Sequence, residues 1–154
     1  MGLTRWEDGE TYDLPQDFAD MLGWKELAEK VDLAYSKAPK NEYTVIICDN
    51  YGQAGAINFY SKTKGLQAVT MNADYVNWID LSKPIKHVIL VRESDDGISE
   101  REKSLFEKSE PFGSISNPNS REFGTLVHLL IGAKTDVNEI LAGEIEEKRA
   151  ELRE

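Results

Sequence analysis

The stretch VIICDNYGQAGAINFY, Val45–Tyr60, decides how the rest of the chain is read. Together with Tyr43 and Thr44 its opening is a continuous β-branched run, the pattern of a strand covered on both faces. The run stops at an acid and an amide, Asp49 and Asn50. Gly52 and Gly55 then open a segment rich in alanine and aromatic residues, which predicts a helix over Gln53–Ser61 that ends near Lys64-Gly65. Such a passage has two readings. In the first, Asp49, Asn50, Tyr51, Gly52, Gln53 and Gly55 form a cradle for phosphate or sugar hydroxyls beyond the carboxyl end of a strand, where a helix N-terminus favours an anion. In the second, Asn50 caps the helix and the glycines allow close packing on the sheet, so that the segment is a joint. The match to G-x-G-x-x-G fails and no Walker lysine follows, which argues against a dinucleotide or P-loop site. The residues alone leave cradle and joint both open.

Working outward, strand and helix patterns alternate. Pro15 after Asp13-Leu14 is a good helix opening, with Phe18, Met21 and Leu22 as a short apolar face and Gly23 as a stop. Trp24, Leu27, Ala28, Val31 and Tyr35 recur at three- and four-residue steps, predicting a helix over Trp24–Ser36 that Pro39 closes. Leu66–Thr70 reads as a second strand and Ile85–Val91 as a third. Ser99 and Glu102 have capping-box spacing, which predicts a short helix over Glu100–Phe106. Phe112–Ser116 and Thr125–Ile131 follow as strands joined by a loop through Asn117-Pro118-Asn119-Ser120, so they are expected to pair antiparallel. Thr135 then caps a final helix with Val137, Ile140, Leu141, Ile145 and Leu152 on its apolar side. The expectation is one α/β domain over residues 1–154, three-layered and Rossmann-like, with a mixed, mostly parallel sheet of about five strands.

Composition narrows the function classes. Hydrophobic residues make up 40% and charged residues 30%, as in ordinary globular proteins. A formal charge of −10 argues against a nucleic-acid partner, since phosphate backbones are held by clustered Lys and Arg. Much of the acidity lies in Glu93–Glu110 and Glu144–Glu154, runs that suit solvated helix faces. Cys48, the single cysteine, sits in an apolar run and reads as a small buried hydrophobe. It permits no internal disulfide and no Cys/His metal spacing, and no cofactor motif is present. The longest apolar run, Leu126–Ala133, is strand-sized and far short of a membrane span.

Other residues reach for the same crevice. Asn72, Tyr75 and Trp78 follow the second strand, where aromatic rings stack on sugar rings or bury in a core. They point into the same crevice region, and Tyr75 or Trp78 is expected to converge with Asp49, Asn50 and Gln53 at the carboxyl edge of the sheet. Glu93, Asp95 and Asp96 end the third strand and add carboxylates to that edge or form a solvated loop around Gly97. His87 and His128 fall inside strands, and no nucleophile elbow exists, so no catalytic residue is assigned.

Two segments, LPQDFADMLGWKELAEKV over Leu14–Val31 and IICDNYGQAGAINFYSKTKGL over Ile46–Leu66, carry a resemblance. They look like the soluble C-terminal region of bacterial membrane glycosyltransferases of the family-39, protein-mannosyltransferase-like group. TRWEDG over Thr4–Gly9 and the spacing Asn72-x-x-Tyr75-x-x-Trp78 also resemble segments there, whereas the portion after Arg92 matches only loosely. The resemblance implies a parent enzyme of many membrane helices that moves a sugar from a polyprenyl-phosphate donor to a lipid or protein acceptor. This chain would be its water-soluble appendage on the periplasmic side of the inner membrane, without cofactor and not catalytic by itself. Its partners would be the membrane-embedded portion and a glycan or polyprenyl-phosphate-linked sugar. The alternative reading is a free-standing cytoplasmic α/β enzyme or binding protein for a nucleotide or phosphosugar. A purely structural domain without a ligand site is a third.

Overall fold

The computed structural model describes residues 5, 7–11, 22–71, 78–93 and 97–153. The helix expected after Pro15 lies outside them, as do Asn72, Tyr75, Asp95 and Asp96.

Helix α1, Trp24–Lys37, turns Leu27, Ala28, Val31 and Ala34 into the core. Gly23 precedes it at φ 86°, and Ser120 and Ile115 press on the place where a Cβ would stand. Only glycine meets both demands without strain. The helix stops where Ala38 turns extended ahead of Pro39, a residue that disfavours helical geometry in its predecessor. Strand β1, Tyr43–Cys48, is buried along nearly its whole length and runs through Asp49-Asn50 into helix α2, Tyr51–Tyr60. Strand β2, Ala68–Thr70, and strand β3, Ile85–Arg92, complete the part of the sheet that is parallel.

Helix α3, Glu100–Ser104, begins at the expected capping box, with Ser99 and Glu102 bonded reciprocally. It stops short of Phe106. A five-residue helix with no buried side chain offers that ring nothing to pack on. Phe106 instead opens strand β4, Phe106–Ser114, where it is 7% exposed. The strand expected over Phe112–Ser116 thus starts six residues earlier, its polar first half having hidden it, and its Pro111 is tolerated because β4 is an edge strand. Strand β5, Leu126–Ala133, pairs antiparallel with β4, as the loop without a helix between them implied. Helix α4, Val137–Arg153, is capped by Asp136 rather than Thr135, through the Asp136 carboxylate and the Glu139 N–H at 3.0 Å. Val137, Leu141 and Ile145 are buried, while Ile140 and Leu152 of the expected apolar side are exposed.

Among the described residues these strands form one mixed sheet of five in the order β2-β1-β3-β5-β4. The expected predominance of parallel pairing is corrected: two ladders are parallel and two antiparallel. The cause is the position of β5, which inserts between β3 and β4 and turns what would be one parallel contact into two antiparallel ones. Leu27 and Val31 of α1 and Ala54 and Ile57 of α2 cover one face, against Ile46, Ile89, Val127 and Leu129. Val137 and Leu141 of α4 cover the other, against Val45, Val88, Leu90 and Leu130. Burial on both faces is what made β1 and β3 read as unbroken apolar runs.

Candidate functional site

Because β1 and β3 run parallel side by side, Asp49 and Arg92 emerge at the same edge. Arg92 Nε lies 3.4 Å from Asp49 Oδ1, and its terminal nitrogens donate to Glu102 and to the Gly97 carbonyl oxygen. The second oxygen of Asp49 accepts the Glu93 N–H at 2.9 Å. Burial of Glu102 opposes its ionisation, yet the Arg92 guanidinium and the Ser99 donors together hold its carboxyl below the ordinary value. One cation thus ties the ends of β1 and β3 to the cap of α3.

Asn50 and Gln53 close the same edge from the other side. The Asn50 side-chain oxygen accepts the Gln53 N–H at 2.9 Å, and its amide donates to Glu93 Oε1 at 3.1 Å. Gln53 is wholly buried. Its side-chain oxygen accepts the N–H groups of Asp49 and Asn50, and its amide donates to Glu122 Oε2 at 3.3 Å. Glu122 in turn accepts from the Thr125 hydroxyl at 3.0 Å. Gly52 lets the chain pass close to Asn50 and the Trp24 ring, and Gly55 is half-buried on α2. Tyr51 is the exception in this group, 66% exposed. An anion at the start of α2 would have to displace the Asn50 oxygen and sit beside the carboxylates of Asp49 and Glu93. The geometry therefore favours the joint over the phosphate cradle.

Trp78 is not at this edge, which takes it out of the expected convergence; Tyr75, the other ring expected there, lies outside the described residues. It borders a cleft of about 200 Å³ with Tyr35, Tyr43, Gln67 and Asp80, beside the first residues of β1. The reason is topological. A β3 parallel to β1 must start at the amino end, so the chain leaving β2 has to travel back before Ile85, and Trp78 stands at the end of that return. Burial, with the Asp80 carboxylate and Tyr35 close by, pushes the Tyr43 phenol above its ordinary value.

A larger, mostly apolar groove of about 570 Å³ lies between α3, α4 and the sheet, floored by Val88, Leu90 and Leu130. Arg92, Arg101, Glu102 and Glu144 stand at its rim. Burial and the neighbouring Glu147 raise the Glu144 carboxyl above the ordinary value.

Both histidines are buried within strands. His87 is 2% exposed, accepts the Gly132 N–H at Nδ1 and faces Glu42 from Nε2 at 3.2 Å. His128 is 8% exposed, and its Nε2 has no hydrogen-bond partner among the described residues. Cys48 is buried, and burial pushes its thiol far above the ordinary value, which makes it an inert small hydrophobe. Among the described residues no cluster of His, Cys, Asp and Glu is placed to hold a metal ion, and no helix is long and apolar enough to cross a membrane.

Sequence reasoning missed Arg92, Glu102 and Glu122 at the carboxyl edge, and Tyr35, Tyr43, Gln67 and Asp80 at the amino end. Arg92 had a visible signal, as a lone cation closing an apolar strand just before acids. Glu122 had none, since its partner Gln53 lies 69 residues away. No family model, curated protein or solved structure matches the chain.

Proposed function

We propose that the chain is an accessory domain of a membrane glycosyltransferase that uses a polyprenyl-phosphate sugar donor. In this reading it lies on the periplasmic side of the inner membrane and performs no chemistry itself. It holds an acceptor or glycan near the membrane-embedded portion of its parent, and its β1–α2–β2–β3 part serves as a Rossmann-like frame.

One observation carries the choice of binding over chemistry. The polar side chains at the carboxyl edge, Asp49, Asn50, Gln53, Arg92 and Glu102, are spent on one another, whereas aromatic rings border an open cleft elsewhere. Carboxylates, amides and a guanidinium that hold chain segments together offer a substrate few open donors or acceptors, and rings beside polar groups suit recognition. The similarity of Leu14–Val31 and Ile46–Leu66 to the soluble region of those transferases supplies the parent.

The test is the reading frame upstream of Leu3. A run of hydrophobic helices ahead of this chain is the expected result, and a frame without one overturns the proposal. Turnover of a nucleotide or phosphosugar by the isolated chain would replace it with the free-standing enzyme.

A further inference from the structure

The cleft at the amino end joins features from three separate parts of the chain. Tyr35 comes from the last turns of α1, Tyr43 from the start of β1, and Trp78 and Asp80 from the return segment before β3. Gln67 adds an amide from the segment leading into β2. The walls therefore carry three aromatic rings, two of them with phenol hydroxyls, together with an amide and a carboxylate. Trp78 lines the cleft and is 55% exposed, so part of its indole is within reach of a guest. Asp80 uses Oδ1 for the Ser82 N–H and hydroxyl, at 2.8 and 2.6 Å, which fixes its carboxylate in place.

Size and charge narrow what fits. A volume of about 200 Å³ is below the range of drug-sized sites and suits a single small ring. A quaternary ammonium ion would need the ring faces that cage cations, but ammonium groups already stand there. Lys40 Nζ lies 5.6 Å from the Tyr35 ring centre and Lys83 Nζ 5.8 Å from that of Tyr43. Those lysines hold the rings and add positive charge, which repels a cationic guest. A ring with an apolar C–H face and a rim of hydroxyls matches what remains: stacking on an aromatic face, with donors and acceptors around it.

We propose that this cleft binds one pyranose unit, stacked on Trp78 and hydrogen-bonded by Tyr43, Gln67 and Asp80. The proposal deepens the accessory-domain reading by locating its glycan site, and rests on that reading for the purpose of the cleft, not for its chemistry. Lys40 and Lys83 leave room for an acidic sugar as well as a neutral one, since both share the stacking face.

The experiment titrates the full chain with a methyl hexopyranoside, glucuronate, adenosine and choline, followed by calorimetry and by the indole N–H resonances. Saturable binding of either sugar is expected, and which sugar binds more tightly separates the neutral from the acidic ligand. Trp78→Ala should weaken it about tenfold, the loss of one aromatic stacking partner. Tyr43→Phe removes only the hydroxyl, keeps the ring in place and should weaken binding about fivefold. Phe59→Ala, which trims an exposed ring on α2 outside the cleft, should leave affinity unchanged. The cleft is overturned by sugar binding that survives both Trp78→Ala and Tyr43→Phe, by preference for adenosine or choline, or by no sugar binding at all. A frame with upstream membrane helices and no Trp78-dependent binding loses the cleft and keeps the parent. Trp78-dependent binding without such helices does the reverse.

Discussion

The two ends of the sheet are built on opposite principles. At the carboxyl end, β1, β3, α2, α3 and the loop before β5 meet, and nearly every polar side chain bonds to another segment. At the amino end, rings and polar groups border a cleft, and the polar bonds of Asp80 are local, to Ser82 two residues on. The carboxyl edge is where open α/β sheets usually bind ligands. Here it is a structural clasp, and the cleft proposed for recognition lies at the other end. Position in a fold thus points to a site only when its side chains are still available.

Substitutions can break this contrast. The largest effect is expected for Arg92→Leu, which leaves the half-buried Asp49 and Glu102 carboxylates without their shared cation. Unfolding in urea should show a loss of about 3 kcal/mol, at the low end for broken buried pairs because the site is partly exposed. A loss below about 1 kcal/mol, the worth of an ordinary surface pair, would mean the clasp is no clasp.

Gly23→Ala should come next, at about 2 kcal/mol, from a positive φ and a methyl forced against Ile115. Its effect should be seen in the same urea curves, because the segment it presses on leads to Glu122 and Thr125. Asn50→Ala should cost about 1 kcal/mol through the lost cap of α2. If Asn50→Ala instead abolished sugar binding with stability intact, the carboxyl edge would be the site after all.

Acid sharpens the comparison further. Burial, and Lys103 on α3, lower the His128 imidazole below its ordinary 6.5, so the folded protein holds it neutral. The unfolded chain binds that proton more readily. Stability should therefore fall as pH drops from about 6.5 towards the folded value, and His128→Leu should flatten that slope in a pH series of urea midpoints. The smallest stability effect is expected for Trp78→Ala, within about 0.5 kcal/mol, as for surface positions outside special features. Thermal melts that dropped as far as for Arg92→Leu would make Trp78 a core residue and the cleft a packing defect.

Much of the fold was legible before any coordinates. The β-branched runs at Tyr43–Cys48 and Ile85–Arg92 announce strands covered on both faces, because burial on both sides removes the need for polar alternation. Asn50 with Gln53, and Ser99 with Glu102, announce helix starts, because a cap is a bond between residues three apart and needs no tertiary partner. The loop between β4 and β5 implied their antiparallel pairing for the same local reason.

What the sequence by itself determined about this protein is therefore what short-range forces decide: most of the strand and helix segments, the cap of the short helix at Ser99, and that a strand passes into a helix at Asp49-Asn50. The tertiary structure alone decided that β5 inserts between β3 and β4, that Arg92 and Glu122 spend the polar groups of that joint, and that Trp78 returns to the amino end beside Tyr35 and Tyr43. These are contacts between residues tens of positions apart, set by how sheet faces and edges share a limited burial. No pattern within a few residues of Trp78 encodes which end of the sheet its ring will border.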